Sequence, residues 1–451
     1  MRILLIKASS ITKKWNYPPL GLMYISSVLK GNNKNYINIL HSGFHSDDEI
    51  KKMVSEFKPD IAGISAITAE ATSFHNIAKI IKNINKKCTV LSGGHYPTYY
   101  YDDIMKDENI DFIIRGEGEY PIKKFMEYIE GKTDLSGVPG LVYKKNNQMF
   151  LNNMYYVADI NLIPEPDWDS VKNYIGKFTP QSPVLQNEKF ISLYTSRGCS
   201  FNCEFCHNLM GKTVRAHNPE RVISEIKKRI LELNIKKFEI VDDFFNYDLN
   251  RIKSILKNII SNDLNSEFYI CGIRMDMLDD ETIELMKKAN VKYVSFGIEN
   301  INNYMQIKIG KRLNKDNLSK NIKKLYKTRI FMTAGIVIGL EDESIKSILQ
   351  TLLFTIKNPI HSIMIANLRR YKGIYDTDYI NAGNDNDYYW EISYSGNIKK
   401  VLYLNFTKIL MNLIFYLNPF KIYIILRDTP RLNSKVFKTF FIKFIKRVIP
   451  F

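Results

Sequence analysis

The chain has 451 residues, a formal net charge of +17 and 45% apolar residues, too long for one ordinary domain and long enough for two or three with cores of their own. Five cysteines in that length, three of them between positions 199 and 206, exclude a disulfide framework and fit a reducing cytoplasm. The charge raises nucleic acid, anionic membrane or acidic ligands as partners, yet from Lys399 to the end eleven Lys or Arg face Asp428 alone, so more than half of the excess sits in the tail.

In chain order, residues 2–8 form an apolar run of strand length and residues 19–29 carry apolar side chains at helical spacing. Strands follow near 36–40, 61–67, 89–91 and 112–114, with helices near 48–57, 73–84, 100–106 and 120–129. Five βα units with continuously apolar strands predict a doubly wound parallel α/β sheet, Rossmann-like, over residues 1–135. Such a sheet binds ligands where strands end and their order reverses. Those ends read Ser65-Ala66-Ile67, Gly93-Gly94-His95 and Arg115-Gly116-Glu117. Glycines there let a bulky ligand approach the backbone, although the same residues also suit plain turns. Residues 136–189, with a hairpin-like part around Asn146-Asn147 and prolines at 164 and 166, read as a linker laid across two domains.

Alternation restarts at Phe190. Strands near 190–195, 238–241, 268–273, 293–297, 332–338 and 363–368, separated by helices near 219–233, 249–260, 281–289, 315–326 and 344–356, predict a partial (βα)6 TIM-like barrel over residues 190–375. In a βα barrel chemistry sits where strands end. The first barrel strand runs into Cys199-Ser200-Phe201-Asn202-Cys203-Glu204-Phe205-Cys206. An iron-sulfur cube has four corners, so three thiolates on one loop leave one iron open to a ligand that is not protein. Two other chemistries share the pattern. Cys203-Glu204-Phe205-Cys206-His207 spells covalent haem attachment, but that belongs to exported proteins and Met1 to Ile6 lacks a secretory signal. Three Cys with His207 suit zinc, but no second pair completes the usual two-armed clamp. The remaining strand ends carry Asp242-Asp243, Arg274, Ser295 to Glu299 and Gly335 to Leu340, residues that singly serve as helix caps or packing glycines just as well.

The Cys-x3-Cys-x2-Cys spacing, with an aromatic before the last Cys, resembles the cluster loop of the radical S-adenosylmethionine (radical SAM) enzymes. The resemblance implies that Cys199, Cys203 and Cys206 ligate a [4Fe-4S] cluster whose open iron takes the amino and carboxylate groups of SAM, with Phe205 against the adenine. It further implies SAM contacts from Asp242, Asp243, Arg274, Ser295, Glu299, Ile338 and Gly339. The first 140 residues or so, with Tyr17-Pro18-Pro19-Leu20-Gly21-Leu22 near their start, resemble the cobalamin-binding domain that precedes many radical SAM domains. There Ser65, Ile67, Gly93 and Gly94 border the corrin and its nucleotide tail, and Gly116 and Glu117 close its edge. No histidine stands in the Asp-x-His-x-x-Gly place, which reads Ala8-Ser9-Ser10-Ile11-Thr12-Lys13-Lys14-Trp15, so the lower face of cobalt is expected to lack one. Tyr371-Lys372-Gly373 also departs from the family's Pro-rich turn.

The resemblance implies an enzyme that takes an electron from flavodoxin or ferredoxin, cleaves SAM to a 5′-deoxyadenosyl radical and, as the leading expectation, methylates an unactivated carbon of a small-molecule or lipid-like substrate. Ring closure or rearrangement without methyl transfer is one alternative, and a non-catalytic cobalamin or redox sensor another.

Residues 376–451 are expected to be basic and mostly helical. Val401 to Leu417 is interrupted by Asn405, Lys408 and Asn412, which disfavours a membrane span and favours packing on the barrel mouth. Ser434 to Val448 alternates Phe and Lys as an amphipathic basic helix. It suits either peripheral contact with the inner face of an anionic membrane or docking of its Phe side on the protein. No nucleic-acid reader module is recognisable.

Overall fold

The computed structural model describes residues 1–9, 15–31, 35–185, 188–374 and 398–429; the basic helix expected at 434–448 lies outside them. The chain forms two units, the first made essentially of Met1–Thr179 and the second of residues from Pro180 onward.

In the first unit the apolar runs become β1 (Arg2–Lys7), β2 (Tyr36–His41), β3 (Ile61–Ser65), β4 (Thr89–Gly93) and β5 (Phe112–Ile114), all parallel, in the spatial order β2-β1-β3-β4-β5. Ile3, Leu4, Leu5 and Ile6 are buried on both faces of the sheet, as helices on either side require. Strand order reverses between β1 and β3, the place where a doubly wound sheet opens a crevice. The helix Asp47–Phe57 starts at a capping box of Ser46 and Glu49.

The expected linker is a different object. Residues 141–151 add β6 (Leu141–Lys145) and β7 (Gln148–Leu151) antiparallel to the edge of the same sheet. Asn146 and Asn147 take left-handed φ values of 51° and 61°, which close a two-residue hairpin. Farther on, Asp167 accepts from Ser26 Oγ at 2.6 Å and pairs with Lys30 at 2.6 Å, so this stretch packs back on the helix Leu20–Lys30.

The second unit is the partial barrel: β8 (Ile191–Leu193), the ribbon of β9 (Ser196–Arg197) with β10 (Arg215–Ala216), then β11 (Lys237–Ile240), β12 (Glu267–Ile273), β13 (Val291–Glu299), β14 (Phe331–Ile338) and β15 (Ser362–Asn367). β8 and β11 to β15 pair in sequence order, all parallel. The helix Pro219–Leu233 begins as the Asn218-Pro219 signal predicts. The helix Asn303–Lys308 is too short to leave a periodicity in the sequence.

The helix Ile398–Tyr416 packs Leu404, Met411 and Phe415 against Ile363 and Ile365 of β15 and against Ile348 and Leu352. It covers the flank of the last strand, not the barrel mouth, because the apolar row of β15 has no further βα unit to bury it. Among the described residues no single helix is long and apolar enough to cross a membrane. The helix Pro419–Asp428 then latches onto the start of β15. His361 Nδ1 accepts from the Met332 N–H at 3.1 Å, which leaves Nε2 to donate to Asp428 at 3.0 Å. Arg427 pairs with Asp428 and lies over Tyr326.

Lys421 is fully buried and donates to the Asn358 and Ile360 carbonyls. Burial lowers its pKa from the ordinary lysine value to about 7, whereas in the unfolded chain it stays protonated to about 10.4. Between those values the unfolded chain binds more protons, so stability rises with pH across that interval. Thermal denaturation should show this rise in the wild type, and Lys421→Met should flatten it by a few degrees; equal slopes would exclude Lys421 as the titrating group.

Candidate active site

The chain leaves the first barrel strands through Gly198, whose φ of +88° only glycine adopts easily, and enters the three-thiol loop. Backbone contacts fix that loop. The Gly198 N–H donates to Asp243 Oδ2 at 3.1 Å, the Cys206 N–H to the Cys203 carbonyl at 3.1 Å and the Glu204 N–H to the Ile309 carbonyl at 3.1 Å. Asn208 Nδ2 donates to the Cys199 carbonyl at 3.0 Å. Gly310 packs so closely that a Cβ on it would stand 2.6 Å from the Asn202 carbonyl.

The surrounding protein raises the pKa of all three thiols, of which Cys199 and Cys203 are half-buried and Cys206 is exposed, with Cys203 and Cys199 adding to the effect on Cys206. Lys311 and Arg274 pull Cys199 and Cys203 the other way. Thiols this reluctant to ionise become thiolates when a metal coordinates them. Among the described residues no three His, Cys, Asp or Glu side chains converge on a single-ion site, an arrangement that does not suit zinc. His207, the fourth ligand a zinc site would need, packs on Tyr371 with ring centroids 5.2 Å apart, and its Nε2 lies 3.4 Å from the Lys372 carbonyl. Three soft sulfurs on a prearranged loop fit a four-iron cube with one open corner.

The side chains expected around SAM divide into two groups. Phe205 is partly buried against Met305, Ile309, Leu340 and Leu368, beside a pocket that Lys308, Glu341 and Arg370 also line. Asp243 keeps an exposed face, while the protein around its carboxyl raises its pKa against the pull of the Gly198 N–H, Arg197 and Arg215. Ser295 is half-buried on β13, and Gly339, at a φ of +82°, donates its N–H to Glu343 at 2.6 Å.

The others are engaged elsewhere. Asp242 accepts from the Thr195 N–H at 2.6 Å and from the Thr195 and Ser196 hydroxyls, so it braces the ends of β8 and β11. Arg274 forks onto Asp276 at 3.0 and 2.9 Å, donates to the Lys311 carbonyl at 3.1 Å and lies 4.1 Å over the Phe201 ring. Its guanidinium holds the loop. Glu299 pairs with Lys311 at 2.7 Å, in space that a side chain on Gly297 would fill. The Ile338 side chain, at the end of β14, is buried with Ile348, Leu352 and Ile363. Lys311, Glu343 and Asn300, which donates to Glu343 at 2.8 Å, carry no pattern that singles them out among the chain's many lysines, acids and amides.

In the first unit Gly94 has a φ of +87°, and a Cβ there would stand 2.7 Å from Ser65 Oγ and 3.3 Å from the Ala66 carbonyl. A Cβ on Gly93 would stand 3.3 Å from the Ile114 carbonyl. The ends of β3 and β4 therefore meet as little more than backbone, flanked by the 43% exposed Ile67, a cradle suited to a broad ligand beside the switch point between β1 and β3. Gly116, at a φ of +77°, donates its N–H to Thr98 Oγ1 at 3.0 Å. Glu117 is buried and accepts from the Val157 N–H at 2.8 Å, which pins the following chain. His41 is fully buried beside Phe44 and Phe178, closed off from a ligand by that packing, and burial above all lowers its pKa to about 3. The cradle fits a corrin held without a histidine beneath the metal.

A B12 binding domain model matches residues 10–125 and a radical SAM superfamily model residues 193–354. An uncharacterized methyltransferase of Pyrococcus horikoshii is 29% identical over 376 residues, covering 81% of this chain and 79% of that one. The cytidylyl-2-hydroxyethylphosphonate methyltransferase of Streptomyces wedmorensis is 25% identical over 372 residues, 71% of this chain and 70% of that one. The radical S-adenosylmethionine methyltransferase TsrM of Kitasatospora setae shares the fold, with a TM-score of 0.68 at 14% identity over 83% of this chain and 74% of that one. With both modules in this order, and a three-thiol loop at the strand ends of the second, the chain belongs to the radical SAM enzymes that carry a B12-binding domain, with a [4Fe-4S] cluster, SAM and cobalamin as cofactors.

Proposed function

We propose that the chain is a cobalamin-dependent methyltransferase acting on an unactivated carbon of a small-molecule or lipid-like substrate in the cytoplasm, with flavodoxin or ferredoxin as electron donor. The observation that carries this is a loop with three thiols at the strand ends of the barrel in a chain that also has a B12-binding module. Two relatives named methyltransferases, each matching over more than two thirds of both chains, support it. The basic stretch Ser434 to Val448 is proposed as a peripheral membrane contact.

When bound, the cluster supplies the electron that splits SAM, and cobalamin supplies a carrier for a methyl group. Cys199, Cys203 and Cys206 would hold the cluster, with the loop's contacts to Asp243, Ile309 and Asn208 setting their positions. Lys311 keeps a positive charge in the surroundings of Cys199 and Cys203, where it favours the thiolate forms and opposes loss of an added electron. Phe205 with Leu340 and Leu368 offers an apolar wall to a flat base and keeps water from it. The exposed carboxyl of Asp243 can accept from an ammonium group. Ser65, Ile67, Gly93 and Gly94 would line the corrin.

Anaerobically reconstituted protein given SAM and a reductant should release both 5′-deoxyadenosine and S-adenosylhomocysteine, the latter being what remains of SAM after its methyl group leaves. 5′-Deoxyadenosine without S-adenosylhomocysteine would overturn methyl transfer in favour of cyclisation or rearrangement. Neither product would favour a sensor. Alanine at Cys199, Cys203 or Cys206 should bring iron well below about four per chain and abolish SAM cleavage while corrin retention, read by its visible absorbance, persists. Lys311→Met should retain the fold but lower cluster occupancy or SAM cleavage by about 10- to 100-fold, and wild-type values would remove Lys311 from the cluster's surroundings.

A further inference from the structure

Two neighbouring helices of the second unit are apolar on both sides. The inward side of Ile345–Lys357 and Ile398–Tyr416 forms the core over β14 and β15. The outward side exposes Leu349 and Leu353 on the first helix and Leu402, Phe406, Leu410 and Leu417 on or just past the second, with Phe406 64% exposed. A spacing of four keeps each row on one helical face. Single exposed leucines are ordinary, but adjacent rows form a patch that soluble surfaces seldom leave open.

Charge identifies what covers it. These two helices carry Lys346, Lys357, Lys399, Lys400 and Lys408 and no acid, and the following helix adds one acid, Asp428, which is buried in its pairing with His361 and Arg427. Beyond Thr429 the sequence adds six Lys or Arg and no Asp or Glu. Apolar rows on two helices whose own charged side chains are all cations match an anionic bilayer surface, with apolar side chains below the headgroups and lysines among them. The stretch Leu402–Tyr416 and the helix Pro419–Asp428 meet at a 71° bend, and Lys421 ties the latter to the Asn358 and Ile360 carbonyls, so the pair is anchored to the barrel and suited to lying on a membrane. We propose that this outer helical face docks on an anionic lipid bilayer, going beyond the catalytic reading and independent of it.

Vesicle flotation with the full chain tests this, comparing phosphatidylcholine alone with phosphatidylcholine containing phosphatidylglycerol. The wild type should float with the anionic vesicles, and Phe406→Glu with Leu410→Glu should weaken that binding by about tenfold or more, with melting temperature and SAM cleavage unchanged. Leu353→Glu, on the neighbouring helix, gives the same readout should the double variant fail to fold. A chain ending at Thr429 should retain binding that these substitutions still reduce. Unchanged binding of the substituted full-length proteins would overturn the proposal in favour of the tail alone. A wild type that ignores both vesicles but sediments as a dimer, which the same substitutions dissociate, would overturn it in favour of a second copy.

Discussion

Desolvated sulfur is the constraint on which the site depends. Three thiols lie on a loop whose surroundings make ionisation costly, and the Phe201 N–H beside Cys199 and the nearby cations Lys311 and Arg274 favour the charged forms of Cys199 and Cys203. Cys206 is exposed while Cys199 and Cys203 stay half-buried, and a loop free to relax would turn those two to water as well. This one is restrained through Gly198, Glu204, Cys206 and Asn208, so the geometry precedes the metal. The arrangement costs folding free energy that iron binding can offset.

The restraint originates in the barrel. Parallel strands bring their carboxyl ends to one rim, and acids there serve two purposes that adjacency conceals. Asp242 faces back among the hydroxyls of Thr195 and Ser196, while Asp243 reaches the loop. Consecutive residues at a strand end point to opposite sides, so one becomes a brace and its neighbour stays open to a ligand. Arg274 behaves like Asp242: Asp276 and the Lys311 carbonyl take its donors, and its flat face supports Phe201.

The parallel strands and most helices were legible because each repeats a period, and the helix Pro219–Leu233 because it opens with its own start signal. The thiol loop was legible because three cysteines in eight residues have few structural uses. For Asp242, Arg274 and Glu299, residue type at a strand end does not reveal the protein partners that lie beside them. The Glu299–Lys311 pair depends on Gly297 leaving space, a relation between three separated positions. The hairpin at Asn146-Asn147 was visible, but not that its strands join the first sheet, since pairing across the edge of β5 is a long-range contact without a local signature.

That hairpin has a consequence for biogenesis. β6 and β7 convert β5 from an edge into an interior strand, and the new edge is only the four residues of β7, next to Lys144 and Lys145, a short border that discourages pairing with other chains. Since the sheet is sealed by residue 151, its last strand leaves the ribosome before Cys199 is translated. The N-terminal unit can therefore assemble before any iron or sulfide is required, and metal starvation would strand a half-finished enzyme whose first half is already in order.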